Sequence, residues 1–185
     1  VMPRIVDPQC VLGAMSAQAL ADTGLSPETK VIAGSTDTVM EVYASGAIRP
    51  GQATLKLATA GRICPITDHA ILSPLLVTYR HAVSGLWYPG SATKSCAASN
   101  RWYRDTLCGG EVMRAEAQGT DAYLLMSAAA ETAPAGCDGL FFHPYLQGEI
   151  TPYLDDRLRG SFVGATASHT KAHFNRAVLE GVGYS

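Results

Sequence analysis

In the stretch VIAGSTDTVMEVYASG, Val31 to Gly46, an apolar run enters Gly34, a polar turn of Ser35, Thr36, Asp37 and Thr38 follows, and a helical pattern then runs to Gly46. Asp37 is the one carboxylate in that turn. A carboxylate just past a strand and at the start of a helix stands where open α/β sheets bind ligands. The helix dipole favours its ionised form. A base that stays ionised suits phosphoryl transfer through a loose transition state, where it orients a hydroxyl and accepts the proton late. Read locally, the simpler account of the same residue is a helix N-cap.

A second candidate is LATAG, Leu57 to Gly61, a small-residue turn between two strand-like runs. Thr59 offers a hydroxyl, Gly61 permits close backbone approach, and backbone N–H groups in such a turn can cradle a phosphate. Taken alone it is an ordinary hairpin turn. Neither a G-x-x-x-x-G-K-[ST] loop nor a G-x-G-x-x-G fingerprint occurs, so a nucleotide site here is of another type. His169 and His173 lie four apart and are able in principle to share a metal, yet no acid of the H-E-x-x-H kind lies between them. A solvated helix start is the favoured reading, and no metal ligand is assigned. The histidines at 69, 81 and 143 are scattered over strands and loops. The cysteines at 10, 64, 96, 108 and 137 are odd in number and form no C-x-x-C pair, which argues against a zinc cluster or a disulfide framework. Buried or free thiols in a reducing compartment are expected.

The elements that must position these residues are legible in outline. Ser16 to Asp22 reads as a helix closing at Gly24. KVIAG reads as a buried strand, and a helix follows from about Val39, capped by Thr38 or Asp37. A hairpin runs from Ala47 to Thr67, with Leu55 and Leu57 alternating with Thr54 and Lys56. LLVTYRHAV and GLWYPGS supply two more strands, and TKSCAASNRWYRDTL reads as a helix. Between Gly109 and Gly139, irregular segments surround a helix over Ala122 to Glu131. LFFHPYL and SFVGA read as strands on either side of a polar loop, QGEITPYLDDRLRG. HTKAHFNRAVLEGV closes the pattern as an amphipathic helix with Phe174, Val178 and Val182 at helical spacing. Strands alternating with helices indicate an α/β or α+β class, with a composition shift near Pro50 as the only domain-boundary signal.

Charge and hydropathy narrow the partners. With 14 Lys and Arg against 16 Asp and Glu, the net charge of -2 leaves no basic stripe for nucleic acid and no polybasic run for an anionic membrane. No apolar run approaches the roughly 18 residues of a membrane span, and VMPRIVDPQC is unlike a signal peptide, so the cytoplasm is the expected location. Both ends read as cut: the chain opens on Val1, and LEGVGYS lies inside a continuing helix, so a fragment is expected. A homodimer is left open.

The segment GLFFHPYLQGEITPYLDDRLRGSFVGATASHTKAHFNRAVLEGV closely resembles the FGGY family of carbohydrate kinases, most of all its xylulokinase-like members. Those carry a PYLSGERTP run, then RGAFxG, a SHT turn and a helix ending in AVLEG. Gly160 or Ser161, Phe162, Gly164, His173, Phe174, Ala177, Val178, Leu179 and Glu180 fit the family's second signature, and Ala165 departs from it. VIAGSTDTVMEVYASGAIRPGQATLKLATAG resembles VVAGGGDNAAGAVGAGVVxPGxAxxSLGTSG, and SCAASNRWYRD resembles SAASSLRWWRD. Three blocks thus match in order and spacing.

The resemblance implies an actin-like, ribonuclease-H-like ATPase fold, with residues 1–48 as the end of a first, sugar-binding domain and 49–185 as the first part of a second, nucleotide-binding one. It implies ATP and Mg2+ as cofactors and a small-molecule sugar, most of all a ketopentose such as xylulose, as substrate. Asp37 matches the catalytic Asp. Thr59, Ala60 and Gly61 match the turn that holds the ATP phosphates, and Ala97 and Arg101 match positions near the nucleotide. Thr36, Thr38, Ala58 and Arg62 depart from the family pattern. The alternatives are a noncatalytic sugar or nucleotide sensor that has kept the fold, and a kinase of another polyol such as glycerol or erythritol. The chain by itself is expected to lack part of the site.

Overall fold

The computed structural model describes residues 3–185, which divide into two compact units. The first holds the residues up to 54 with 64–73 and 77–90, and the second holds 55–63, 74–76 and 91–185. The strands are β1 (Val11–Ala14), β2 (Lys30–Ile32), β3 (Ala53–Leu57), β4 (Gly61–Pro65), β5 (Val77–Arg80), β6 (Trp87–Thr93), β7 (Phe141–His143) and β8 (Ser161–Val163). The α-helices are α1 (Ala17–Thr23), α2 (Asp37–Ala44), α3 (Ala97–Leu107), α4 (Gly109–Gln118), α5 (Ala122–Glu131) and α6 (Lys171–Tyr184). Strands β3, β4, β6 and β5 form a sheet in that order.

In the first unit, β1 and β2 pair antiparallel with Val11 opposite Ile32 and Ala14 opposite Lys30. Between them α1 starts where the Ser16 hydroxyl accepts the Ala19 N–H at 3.2 Å, and it ends at Gly24, whose φ of 68° allows its N–H to reach the Leu20 carbonyl. Those are the expected end signals of this helix. The buried strand expected at Lys30–Ile32 is instead exposed, with Val31 and Ile32 at 41% and 55%. A two-stranded ribbon has two open faces, and nothing among the described residues of this unit covers them. Val39 and Val42, three apart on one face of α2, are buried with Ala47, Cys64, Ile66, Ala82 and Tyr88. Each valine contributes about 1.5–3 kcal/mol by leaving water. β5 pairs antiparallel with the first half of β6, from Val77 opposite Gly90 to Arg80 opposite Trp87.

In the second unit, the rest of β6 pairs with the start of β4: Gly61 faces Thr93, Arg62 faces Ala92 and Ile63 faces Ser91. The core joins Tyr103, Cys108, Met126, Cys137, Leu140, Phe142, Ala177 and Val178, with Phe162 and Phe174 packed against it. The family-signature residues Phe162, Phe174, Ala177 and Val178 are therefore core residues. Gly164 and Gly181 are tight backbone contacts, since a Cβ would fall 2.2 Å from the Gly139 and Phe142 carbonyl oxygens respectively. Inside this core the Tyr103 hydroxyl donates to Asn175 Oδ1 at 3.0 Å, and Asn175 Nδ2 donates to the Met126 carbonyl at 3.2 Å. Buried polar groups paired in this way avoid the cost of desolvation.

The stretch expected to be irregular after Gly109 contains α4. Its glycines, Gly109 and Gly110, lie in the first turn, while Glu111 to Gln118 are mostly helix formers and Gly119, at φ 62°, closes the helix in the left-handed region. No helix among the described residues is long and apolar enough to cross a membrane.

Candidate active site

The turn that carries Asp37 is held from behind. The Ala33 and Gly34 N–H groups donate to the carbonyls of Cys10 and Pro8 at 2.9 and 3.0 Å. Helix α2 starts at Asp37 rather than near Val39, and Thr36 occupies the N-cap with extended φ and ψ of -70° and 159°, without a side-chain cap bond. Neither Asp37 nor Thr38 is thus the cap, which corrects the local reading of both. As the first helical residue, Asp37 meets N–H groups that have no partner within the helix. Its Oδ1 accepts the Thr38 N–H at 2.6 Å and lies 3.4 Å from the Thr38 hydroxyl. The side chain is exposed, and its second oxygen makes no hydrogen bond among the described residues. The carboxylate is therefore anchored through one oxygen while the other is able to accept a proton.

The Ala58–Gly61 turn belongs to the second unit and is latched to the start of α3. That helix has no side-chain cap at Cys96. Its leading N–H groups go to the turn instead: Cys96 and Ala98 donate to the Thr59 carbonyl at 3.0 and 3.3 Å, and Ala97 donates to the Ala58 carbonyl at 2.9 Å. Because a trans peptide is planar, carbonyls aimed at α3 set the N–H groups of Thr59 and Ala60 in the opposite direction. Two backbone donors thus face away from α3 on a turn whose Thr59 and Ala60 are exposed, an arrangement suited to an anion such as phosphate. Ala58 replaces a family glycine without strain: among the described residues only Cys137, Asp138 and Leu154 combine a side chain with a positive φ.

Of the residues expected near nucleotide, the structure brings Thr59, Ala60, Gly61 and Ala97 together. Arg101 follows one turn along the exposed face of α3 that Ala97 begins. Gly61 also makes a close contact within the fold. A Cβ there would lie 2.8 Å from Thr93 Cγ2 and 3.2 Å from Cys96 Cβ, so its close approach is to β6 and the start of α3. A cleft of about 320 Å³ lies beside it, with Leu57, Arg62, Ile63 and Val182 in its walls. Thr59, Ala60, Ala97 and Arg101 do not line that cleft, and its largely aliphatic walls do not suit a triphosphate.

A buried carboxylate was hidden in the loop expected to be simply polar. Glu149 is 1% exposed and accepts bonds from the Thr93 hydroxyl at 2.6 Å, the Lys94 N–H at 3.0 Å and the Ile150 N–H at 2.6 Å. No local pattern in the sequence singles it out. His169 and His173 are structural. His169 Nδ1 accepts the Thr166 N–H at 2.8 Å while its Nε2 donates to the Cys137 carbonyl at 3.1 Å. His173 Nδ1 accepts the Thr170 N–H at 3.1 Å, and its Nε2 lies 3.3 Å from Asp138 Oδ2. Among the described residues no three His, Cys, Asp or Glu side chains gather as metal ligands.

The sequence profile of the FGGY family of carbohydrate kinases, C-terminal domain, matches residues 30–185. A gluconokinase of Bacillus licheniformis is 32% identical over 185 residues, covering 100% of this chain and 36% of that protein. A xylulose kinase of Lactococcus lactis is 30% identical over 186 residues, covering 100% of this chain and 35% of that protein. The crystal structure of xylulose kinase from Rhodospirillum rubrum superposes with a TM-score of 0.80 at 35% identity, over 93% of this chain and 33% of that one. The chain spans about a third of the length of the curated relatives it matches. Its α/β architecture is that of the actin-like, ribonuclease-H-like kinases. A profile match over most of the chain, together with that superposition, shows that the chain belongs to the FGGY family of carbohydrate kinases.

Proposed function

We propose that the protein containing this chain transfers the γ-phosphoryl group of ATP to a hydroxyl of a small sugar or sugar acid, with Asp37 as the general base. The observation that carries this reading is the state of Asp37, exposed at the first turn of α2, with one oxygen tied to Thr38 and the other making no hydrogen bond among the described residues. That oxygen orients the substrate hydroxyl and takes its proton late, as the hydroxyl oxygen bonds to phosphorus and the bond to ADP breaks. The N–H groups of Thr59 and Ala60, with the Thr59 hydroxyl, hold phosphate oxygens, and Arg101 adds positive charge along α3. ATP supplies the phosphoryl group, and Mg2+ on its phosphates offsets their charge. The division into a sugar-binding part, 1–48, and a nucleotide-binding part, 49–185, belongs to the same proposal. So does a cytoplasmic setting, which five cysteines outside any disulfide support.

A ketopentose such as xylulose and gluconate are the two leading substrates, since xylulose kinases and gluconokinases are similar to this chain to nearly the same degree. The noncatalytic reading rests on the altered Thr36, Ala58 and Arg62; the unstrained backbone at Ala58 and the hold of Thr38 on the Asp37 carboxylate favour the catalytic one. ADP release by the full-length protein across xylulose, gluconate, glycerol and erythritol tests the proposal. Turnover with one of the first two supports it, turnover only with a polyol reassigns the substrate, and no turnover with ligand binding intact overturns it.

A further inference from the structure

The Thr59–Gly61 turn is held on one side by the end of β6 and the start of α3, and both of these hang on one buried group. Glu149 accepts from the hydroxyl of Thr93, the last residue of β6, and from the N–H of Lys94, which begins the link to α3. Thr93 stands opposite Gly61, and its Cγ2 fills the space a Cβ on Gly61 would need. Two residues past Lys94, the Cys96 N–H grips the Thr59 carbonyl at 3.0 Å. Glu149 itself cannot drift. Its N–H and carbonyl exchange two 3.0 Å bonds with Asp155, and Gly148 is folded so tightly that a Cβ there would lie 2.5 Å from Asp156 Cα. The ammonium of the adjoining Lys94 is engaged by Asp156, so hydrogen-bond donors rather than this cation meet the Glu149 charge.

Burying a carboxylate without a cation is costly, and a neutral or apolar residue would fill the same volume more cheaply. The charge is explained if what matters is fixing the donors of Thr93 and Lys94 at once, because bonds to a charged acceptor are shorter and stronger than neutral ones. We propose that Glu149 is a positioning residue for nucleotide binding: through Thr93 and Lys94 it sets the place of the Thr59–Gly61 turn and hence the aim of the Thr59 and Ala60 N–H groups. This rests on the assignment of that turn to the ATP phosphates.

The test uses the full-length protein and ADP binding by calorimetry, with KM for ATP and for the sugar measured in parallel. Glu149→Gln keeps the volume and removes the charge. Thr93→Val removes the hydroxyl while keeping a methyl against Gly61. Each variant weakens ADP binding and raises KM for ATP about ten-fold, the scale of one charge-assisted bond. KM for the sugar stays unchanged, and the double variant is no worse than the poorer single one because the two groups share a bond. Wild-type ADP affinity in Thr93→Val, or equal rises in both KM values, overturns the inference while leaving the turn assignment standing. A wild-type protein that binds no ADP overturns the turn assignment and the inference with it.

Discussion

Replacing Gly181 with alanine puts a methyl carbon 2.2 Å from the Phe142 carbonyl oxygen, 3.0 Å from its carbon and 3.1 Å from its Cβ. Ordinary contact begins near 3.4 Å, so α6 and β7 must separate by about 1 Å. The two nearest atoms are backbone, and no rotamer change relieves the overlap. A gap of that size forfeits about a quarter to a half of the dispersion attraction across the interface, where Val178 and Phe142 are 0% and 2% exposed. The cost therefore lies near the top of the overpacking range, about 3 kcal/mol, or about a hundred-fold in the folding constant. Gly183, two residues on in the same helix, meets nothing within 4 Å. Alanine there gains about 0.5–1 kcal/mol of helix propensity. Urea denaturation of the full-length protein, followed through Trp102, which stacks on Phe142, reads the packing around β7. Gly181→Ala lowers the midpoint and Gly183→Ala leaves it unchanged or raises it. Equal midpoints for the two variants would refute the close approach of α6 to β7.

Two further expectations concern the same unit. Tyr103→Phe leaves Asn175 Oδ1 buried without its donor and costs about 1–3 kcal/mol, read as a lower denaturation midpoint. Burial works to raise the Glu180 pKa, but the Arg176 guanidinium and the Gly136 N–H outweigh it and hold the carboxyl below its ordinary value. A depressed carboxylate contributes stability that is fully present above the ordinary glutamate pKa of about 4.3 and is lost as the pH falls through the folded value. Stability measured from pH 6 downward should thus decline below about pH 5, and Glu180→Gln should make that acid limb shallower.

Local sequence revealed the elements whose signals are local. Ser16 and Gly24 bound α1 as their types predict, Ala122–Glu131 is α5 to the residue, and the hairpin around Ala58–Ala60 followed from alternation and small residues. The start of α4 was obscured because Gly109 and Gly110 read as a loop, although glycine costs less in a first turn than in a helix interior. The exposure of β2 was not legible, since an apolar run does not say what covers it. At the site, the turn and the start of α3 were brought together by matching family blocks, not by any local pattern. The partners of Glu149 lie 55 and 56 residues away in sequence, beyond the reach of periodicity. The spacing of His169 and His173 has a plain explanation in the fold, where each bonds to a residue of the Cys137–Gly139 turn.

Under the proposed mechanism Asp37 accepts the proton of the attacking hydroxyl. The most direct measurement of that step is the rate of sugar-dependent ADP release by full-length Asp37→Asn beside the wild type, with ATP binding checked in the same samples. Asparagine keeps an oxygen for the Thr38 N–H but supplies no base. Turnover should fall by about 10²–10⁴-fold, the usual contribution of a general base, while ATP binding is retained. Turnover within a few-fold of wild type would contradict it.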